Sequence, residues 1–352
     1  MTRKDKIRVL IVDDSAIARD MIARGLSRDP SIEVVGKASD AWSARDKIVM
    51  LHPDVITVDV EMPGMDGIEF IRRLLPQYPV PVIIVSAVTL EGSRRALEAM
   101  QAGAMDIVAK PEAGRPEGLS MMIGELAERI REAAGADMNK LTRHAVQRQE
   151  PVPSAAPAGP ARTRRRQIIA IGASTGGTGV LNDIIPQFPH DMPGVVVVQH
   201  MPPVFTRMFA ESLDRLSGVD VKEAVSGDLV RPGLVLIAPG DFQMTVHRKE
   251  GRLVVQCRPG EKVSGHRPSV DVLFSSVALA AGERAVGVLL TGMGRDGADG
   301  LLEMRRSGAR CLAQDEESSV VFGMPKEAWD NGAAEELVST GNLTSTILRS
   351  LA

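Results

Sequence analysis

Short apolar, β-branched runs alternate with helical patterns along roughly the first third of the chain. This alternation is typical of βα units that feed a parallel sheet. A polar Ser15 precedes the first helical pattern, where it can cap the helix. We therefore expect an N-terminal doubly wound, flavodoxin-like α/β domain. Its five predicted strands are Ile7–Asp13, Ile32–Ala38, Asp54–Asp59, Pro81–Ser86 and Met105–Ala109.

A second βα series begins at Gln167 and predicts another parallel sheet, which we expect to be Rossmann-like. Helical patterns at Val204–Leu216 and Val270–Ala281 separate its strands. Residues 241–257 predict an inserted hairpin with its turn at 249–251. The predicted strands of this series are Ile168–Gly172, Val195–Gln199, Val235–Ala238 and Ala285–Thr291.

Residues 135–166 separate the two series and have no apolar periodicity. They contain four prolines and a basic cluster, which together indicate a linker. The predicted organisation is a first domain at 1–134, a linker at 135–166 and a second domain at 167–352. The prolines and arginines concerned are Pro151, Pro153, Pro157, Pro160, Arg162, Arg164, Arg165 and Arg166.

Composition narrows the class of protein. The 352 residues are long enough for two domains with their own cores, and the net charge of -3 argues against a nucleic-acid surface. No apolar run is long enough for a membrane span or a secretion signal, so we expect a cytoplasmic protein without membrane insertion. Cys257 and Cys311 lack partners at metal-ligand spacing and are expected to be small core residues.

Polar residues follow the predicted strands of the first domain. Asp13 and Asp14 end the first strand, Asp59 the third, Ser86 the fourth, and Lys110 follows the fifth. The carboxyl ends of parallel strands meet at one edge, so these side chains should converge. Three carboxylates in one place repel each other unless a hard cation such as Mg²⁺ binds among them. Asp59 could then accept a phosphoryl group whose oxygens Ser86 and Lys110 would contact.

This pattern, with the Met62–Gly67 turn after the third strand, resembles the receiver domains of two-component response regulators. The resemblance implies that Asp13, Asp14 and Asp59 bind Mg²⁺ and that a histidine kinase phosphorylates Asp59. It also implies that Ser86 and Lys110 sense the phosphate. Many receivers have Tyr or Phe three residues before the lysine, whereas this chain has Ile107.

The second domain carries Gly172-Ala173-Ser174-Thr175-Gly176 between its first strand and first helix. A Gly-x-Ser-x-Gly turn exposes a nucleophilic serine and directs backbone N–H groups at an oxyanion. A dinucleotide fingerprint needs glycine where Ser174 stands, and a phosphate-binding loop needs lysine where Thr178 stands. A plain glycine-rich turn is an equally good interpretation of this motif alone.

A catalytic serine needs a base and an orienting carboxylate. His200 follows the strand that starts at Val195, beside the strand before Ser174, and His266 is the second candidate base. Asp296 follows the strand that starts at Ala285, where it could also cap a helix; Asp299 and Asp315 compete for the orienting role. The order Ser, His, Asp differs from that of α/β-hydrolases, so we do not expect that fold.

The receiver pattern, Gly172–Gly177, Gln199–Pro202, His266–Asp271 and Thr291–Gly297 together resemble the chemotaxis response regulator protein-glutamate methylesterase family. The resemblance implies hydrolysis of glutamate γ-methyl esters and deamidation of glutamines on methyl-accepting chemotaxis receptors, without a cofactor for the esterase reaction. It implies a chemotaxis histidine kinase as phosphodonor. It also implies that the unphosphorylated receiver hinders access to the catalytic edge, and that Thr175 and Met293 lie near the oxyanion.

Two other classes of protein use receiver domains. A transcription factor would need a basic recognition helix, yet residues 167–352 contain 17 Lys and Arg against 22 Asp and Glu. A non-catalytic docking module would keep its signalling output after Ser174→Ala, whereas a hydrolase would lose its turnover. We therefore expect no nucleic-acid partner, and the Ser174 substitution separates the remaining alternatives.

Overall fold

The computed structural model describes residues 6–87, 89–111, 116–136, 138 and 166–351. The chain divides into two compact units, with the boundary between residues 147 and 148. Most of the predicted linker lies outside the described residues, so its limits remain a prediction.

The N-terminal unit is a five-stranded parallel sheet with strand order β2-β1-β3-β4-β5. Its strands are β1 (Ile7–Val12), β2 (Ile32–Ala38), β3 (Val55–Val58), β4 (Val82–Ala87) and β5 (Asp106–Lys110). Its helices are α1 (Ala16–Leu26), α2 (Ala41–Leu51), α3 (Gly67–Leu74), α4 (Leu90–Gln101) and α5 (Pro116–Ala134). This strand order is that of flavodoxin-like folds and confirms the predicted fold class.

Local sequence explains these elements. The Ser15 hydroxyl accepts a hydrogen bond from the Ala18 N–H at 3.3 Å and so caps α1, as predicted. All four residues of β3 are buried, because a central parallel strand is covered on both faces.

The C-terminal unit contains a seven-stranded parallel sheet and a separate antiparallel hairpin. Its strands are β6 (Ile168–Ala173), β7 (Gly194–Gln199), β8 (Asp220–Glu223), β9 (Leu234–Ile237), the hairpin strands β10 (Gln243–Lys249) and β11 (Arg252–Arg258), β12 (Ala285–Leu289), β13 (Arg310–Gln314) and β14 (Glu336–Val338). Its helices are α6 (Gly177–Ile184), α7 (Phe205–Leu216), α8 (Val270–Ala281), α9 (Ala298–Arg306), α10 (Met324–Asp330) and α11 (Thr340–Arg349).

Three strands of this sheet were absent from the sequence prediction, namely β8, β13 and β14. Strand β14 has three residues, β8 has three charged residues out of four, and β13 contains no β-branched residue. Their pairing with neighbouring strands therefore outweighs weak local preference. The helix predicted from Val204 starts one residue later, because Val204 has φ 74°, outside the helical region.

The sheet order is β14-β13-β12-β6-β7-β9-β8. The chain adds strands on one side of β6, starting with β7, and then crosses to its other side, starting with β12. Strand β6 pairs with β7 on one side and with β12 on the other. Ligands of open parallel sheets bind at such a switch point, beyond the carboxyl ends of the strands. The sheet therefore has its natural binding edge where β6, β7 and β12 end.

Neither cysteine forms a disulfide. Cys311 is fully buried in β13, as expected of a core residue, and burial raises the pKa of its thiol to about 12. Cys257 is only half-buried, and desolvation raises its pKa to about 11. Both thiols therefore remain protonated and unreactive near neutral pH.

Candidate functional site

The acidic residues of the N-terminal unit converge at the edge predicted for them. One carboxylate oxygen from each of Asp13, Asp14 and Asp59 lies within 4.8 Å of the others. Asp13 follows β1 and Asp59 follows β3, and these two strands are paired neighbours. Lys110 closes the cluster, with Nζ 2.8 Å from Asp13 Oδ2 and 2.5 Å from Asp59 Oδ2.

Electrostatics of this cluster favour a bound cation. Burial raises the pKa of Asp59, the Asp13 charge raises it further, and Lys110 opposes both effects. Burial alone would lower the pKa of Lys110, but the carboxylates of Asp59 and Asp13 outweigh it and raise that pKa. One ammonium group cannot balance three carboxylates, and carboxylate oxygens are the ligands that Mg²⁺ prefers. The donor set therefore fits a divalent cation.

The two predicted phosphate-sensing residues lie on adjacent strands. Ser86 pairs in register with Ala109, the residue before Lys110. The buried Ser86 hydroxyl donates a hydrogen bond to the Gly92 carbonyl at 3.1 Å. Ile107 is 1% exposed inside β5, so a fully packed aliphatic side chain occupies the position where many receivers have an aromatic one.

The predicted nucleophile and base follow two paired residues. Ala173 ends β6 and pairs in register with Gln199, the last residue of β7. Ser174 and His200 come directly after this pair, and both are almost fully buried. The His200 N–H donates to the Ala173 carbonyl at 3.0 Å, which fixes the turn beyond β7. Parallel register thus brings the two residues to one edge of the sheet.

The imidazole of His200 contacts the carboxylate of Asp296. His200 Nε2 lies 2.7 Å from Asp296 Oδ2, and both side chains are at most 2% exposed. Asp296 comes from the loop after β12, on the other side of β6. The Ser174 hydroxyl makes no hydrogen bond within the described part of the chain. Hydrogen bonds between catalytic side chains are often long or absent in unliganded enzymes, so this observation does not exclude Ser174 as a nucleophile.

Asp296 is held by the N-terminus of α8. Its carboxylate accepts hydrogen bonds from Val270 N at 2.7 Å, Asp271 N at 3.1 Å and the Ser269 hydroxyl at 2.7 Å. These donors compensate a buried negative charge and fix its orientation. Close packing permits this approach, because a Cβ at Gly172 would lie 2.2 Å from Val270 Cγ1.

The competing candidates occupy different places. The ring of His266 stacks on that of His200, with centroids 3.8 Å apart. Asp299 is exposed and forms an ion pair with Arg295, and Asp315 accepts hydrogen bonds from Ser318. Of the three carboxylates proposed as orienters, only Asp296 contacts His200 in the described structure. The structure therefore separates Asp296 from its two competitors.

The segments predicted near the oxyanion lie beside Ser174. Thr175 is 2% exposed, and its carbonyl accepts a hydrogen bond from the Thr291 hydroxyl at 3.0 Å. Met293 follows Gly292, where a Cβ would lie 2.7 Å from Ser174 Cβ. Glycine at 292 thus lets this loop pass next to the serine.

Sequence reasoning assigned no role to three residues that support this site. Ser269 and Asp271 belong to the His266–Asp271 motif, but only the fold shows that α8 begins against Asp296. Gln199 Nε2 donates to the Ser174 carbonyl at 3.0 Å and to the His200 carbonyl at 3.2 Å. Its position one residue before His200 was the available signal.

Family models match both units of the chain. The one described as CheB methylesterase matches residues 169–347, and the one described as response regulator receiver domain matches residues 9–120. Among the described residues, no helix is both long and apolar enough to span a bilayer.

Similar proteins cover nearly the whole chain. A protein-glutamate methylesterase/protein-glutamine glutaminase of Syntrophotalea carbinolica is 51% identical, covering 97% of each chain. A relative from Pseudomonas aeruginosa with the same name and the number 2 is 45% identical, covering 98% of this chain and 97% of its own. The crystal structure of the Thermotoga maritima CheB methylesterase catalytic domain is 38% identical, with TM-score 0.51, covering 52% of this chain and 98% of that one.

Proposed function

Because the chain belongs to the CheB methylesterase family and carries a response regulator receiver domain, we propose that it is a phosphorylation-activated serine hydrolase. Its proposed substrates are glutamate γ-methyl esters, and selected glutamines, on methyl-accepting chemotaxis receptors. The observation that carries the proposal is the buried His200–Asp296 contact at 2.7 Å, at the edge where Ser174 follows β6. In this account the protein acts in the adaptation of bacterial chemotaxis.

The proposed reaction is acyl transfer through Ser174. Its Oγ attacks the side-chain carbonyl carbon while His200 takes the Oγ proton. Because His200 Nε2 faces Asp296, Nδ1 is the nitrogen that would receive this proton. The protonated imidazole then donates it to the leaving group, which departs as methanol or ammonia. Water, deprotonated by His200, cleaves the acyl-enzyme and regenerates the serine hydroxyl.

The remaining site residues have supporting roles in this proposal. Asp296 holds His200 in the tautomer with a proton on Nε2 and stabilises the imidazolium. Backbone N–H groups near Thr175 and Met293 would stabilise the oxyanion, which typically contributes about 10²–10³-fold in rate per donor. No cofactor is needed for these steps.

The receiver supplies regulation in the same proposal. Asp59 would accept a phosphoryl group from a chemotaxis histidine kinase, and Lys110 and Ser86 would contact the phosphoryl oxygens. Asp13, Asp14 and Asp59 would hold Mg²⁺, whose charge offsets that of the carboxylates and the phosphoryl group. Phosphorylation would relieve inhibition of the esterase by the receiver.

Methanol release from methylated receptor tests this function. We expect turnover by wild type and by the control Ser345→Ala, whose serine is exposed on α11, and stimulation of both by a small-molecule phosphodonor. Ser174→Ala should lose nearly all turnover, by about 10⁶-fold where the triad acts as a unit. Wild-type turnover or unchanged signalling output by Ser174→Ala would contradict the proposal and favour a docking module.

A further inference from the structure

Helices α8 and α9 of the catalytic unit are capped by each other's carboxylates. Asp296, two residues before α9, accepts hydrogen bonds from the first two N–H groups of α8. Asp271, the second residue of α8, accepts a hydrogen bond from the Gly300 N–H of α9 at 2.8 Å. Two reciprocal contacts therefore join the helix starts that flank the His200–Asp296 pair.

The Asp271 contact supplies a cap that α9 lacks. The residue before α9 is Gly297, which has no side chain to accept a hydrogen bond. Gly300 is packed so closely that a Cβ there would lie 2.8 Å from the Asp271 carbonyl oxygen. Asp271 thus satisfies a donor of the first turn of α9 and fixes that turn against α8. Because Asp296 leads into this turn, its position depends on the same contact.

This arrangement brings a second acidic group beside the buried Asp296. Burial raises the pKa of Asp271 to about 6, and the neighbouring Asp296 charge and carboxyl raise it as well. The Gly300 N–H and the Ser264 hydroxyl, 3.2 Å from Asp271 Oδ2, oppose this shift.

Nearby cations of the described chain are engaged with other groups. Arg267 forms an ion pair with Asp241 and donates to the Gly260 carbonyl, and Arg295 pairs with Asp299. Asp296 is the charged neighbour that acts on Asp271, and His200 is the cation-forming group bound to Asp296. A second titratable ring, that of His266, stacks on His200 with centroids 3.8 Å apart and is unchanged in every variant compared. A helix cap alone does not require a second carboxyl at this place, since a neutral acceptor can also receive the Gly300 N–H.

We propose that Asp271 is a positioning residue of the hydrolase: it fixes Asp296 against His200 and adds a second negative charge beside that pair. This inference rests on the proposed function of Ser174, His200 and Asp296. A negative charge near an imidazole favours the imidazolium and raises its pKa. Asp271 therefore strengthens His200 as a base, and its charge is present above the pH at which it ionises.

Loss of the Asp271 charge should extend the activity of the hydrolase to lower pH. Catalysis requires neutral His200, so activity rises with pH as His200 loses its proton. Asp271→Asn keeps an oxygen acceptor for the Gly300 N–H but removes the charge. The pKa of His200 should fall, and the acid limb of the pH–activity profile should move to lower pH by on the order of half to one unit.

The experiment compares pH profiles of methanol release from methylated receptor, between pH 5 and 8, for the full chain with phosphodonor. The matched control is Asp299→Asn, an exposed carboxylate in the first turn of α9, which should reproduce the wild-type limb. Effects of pH on the receiver are common to all variants and cancel in this comparison. Thermal unfolding establishes that each variant is folded.

A second variant keeps the test decisive if Asp271→Asn does not fold. Ser264→Ala removes the exposed hydroxyl that stabilises ionised Asp271, so it should shift the limb in the same direction by a smaller amount. Acid limbs that superimpose on wild type, in Asp271→Asn or in Ser264→Ala when the first is unfolded, would overturn the inference. Turnover by Ser174→Ala at the wild-type rate would instead overturn the proposed function.

Discussion

Removing the Asp296 carboxylate should damage both catalysis and the stability of the catalytic unit. The perturbation is Asp296→Ala, at a residue that is 1% exposed. The substitution leaves the N–H groups of Val270 and Asp271, the Ser269 hydroxyl and His200 Nε2 without their acceptor.

The size of the stability loss follows from these four contacts. Loss of a helix N-cap costs about 0.5–2 kcal/mol. Each buried donor left without a partner costs about 1–3 kcal/mol. The cap loss and the orphaned N–H groups describe partly the same contacts, Ser269 can rotate, and relaxation admits water. We therefore expect the free energy of unfolding to fall by about 3–5 kcal/mol, the usual cost of removing one partner of a buried charged contact. Turnover should fall by about 10⁴-fold, as expected when a triad histidine loses the carboxylate that selects its tautomer.

Urea unfolding of the full chain, followed by far-UV circular dichroism, measures the stability change. Methanol release from methylated receptor, at a temperature where the variant is folded, measures turnover. Asp299→Asn serves as control, because its exposed ion pair should contribute at most about 1 kcal/mol.

Two results would refute this reasoning. Stability of Asp296→Ala within 0.5 kcal/mol of the control, taken as about the scatter of surface substitutions, would mean that the α8 contacts contribute little. Turnover close to that of wild type would mean that His200 does not depend on Asp296.

Three further predictions concern other parts of the molecule. Asp59→Asn, or removal of divalent cations by chelation from wild type, should abolish stimulation of methanol release by a phosphodonor while leaving basal turnover; persisting stimulation would exclude Asp59 as acceptor. Gly292→Ala should lower turnover and the melting temperature, because its Cβ would lie 2.3 Å from Met324 Sδ and 2.7 Å from Ser174 Cβ; wild-type values would show that the loop can yield. Burial raises the folded-state pKa of Asp271 to about 6, so its stabilising contribution is complete below about pH 4 and is lost as pH rises through 6. Urea unfolding of Asp271→Asn should therefore show a decline in stability over this pH range that is smaller than that of wild type by about 1 kcal/mol, after discounting for the partial exposure of Asp271. A decline equal to that of wild type would contradict this prediction.

The sequence predicted the parts of the fold that local pattern determines. Strands β6 and β7 are continuous runs of buried residues, of which at least half are β-branched, and both were predicted close to their observed bounds. Strand β13 has the sequence Arg-Cys-Leu-Ala-Gln, which carries no strand preference of its own, and forms because β12 and β14 pair with it. Such a strand is invisible to local pattern.

The same distinction applies to the candidate site. Ser174, His200 and Asp296 follow the ends of strands, so the rule for parallel sheets placed them among the candidates. The same rule left His266, Asp299 and Asp315 as alternatives. The reciprocal caps between α8 and α9 depend on close packing at Gly172 and Gly300, which joins segments far apart in the chain. No periodicity or motif encodes that approach, and the support for Asp296 was therefore not predictable.

The central claim is that Ser174, His200 and Asp296 act as one catalytic unit. The most direct measurement compares methanol release by the single variant Ser174→Ala with that of the triple variant in which all three residues are alanine. Members of one unit are strongly non-additive, so we predict equal residual rates for the two proteins. A triple variant slower than Ser174→Ala by the product of the separate His200 and Asp296 effects would contradict the claim.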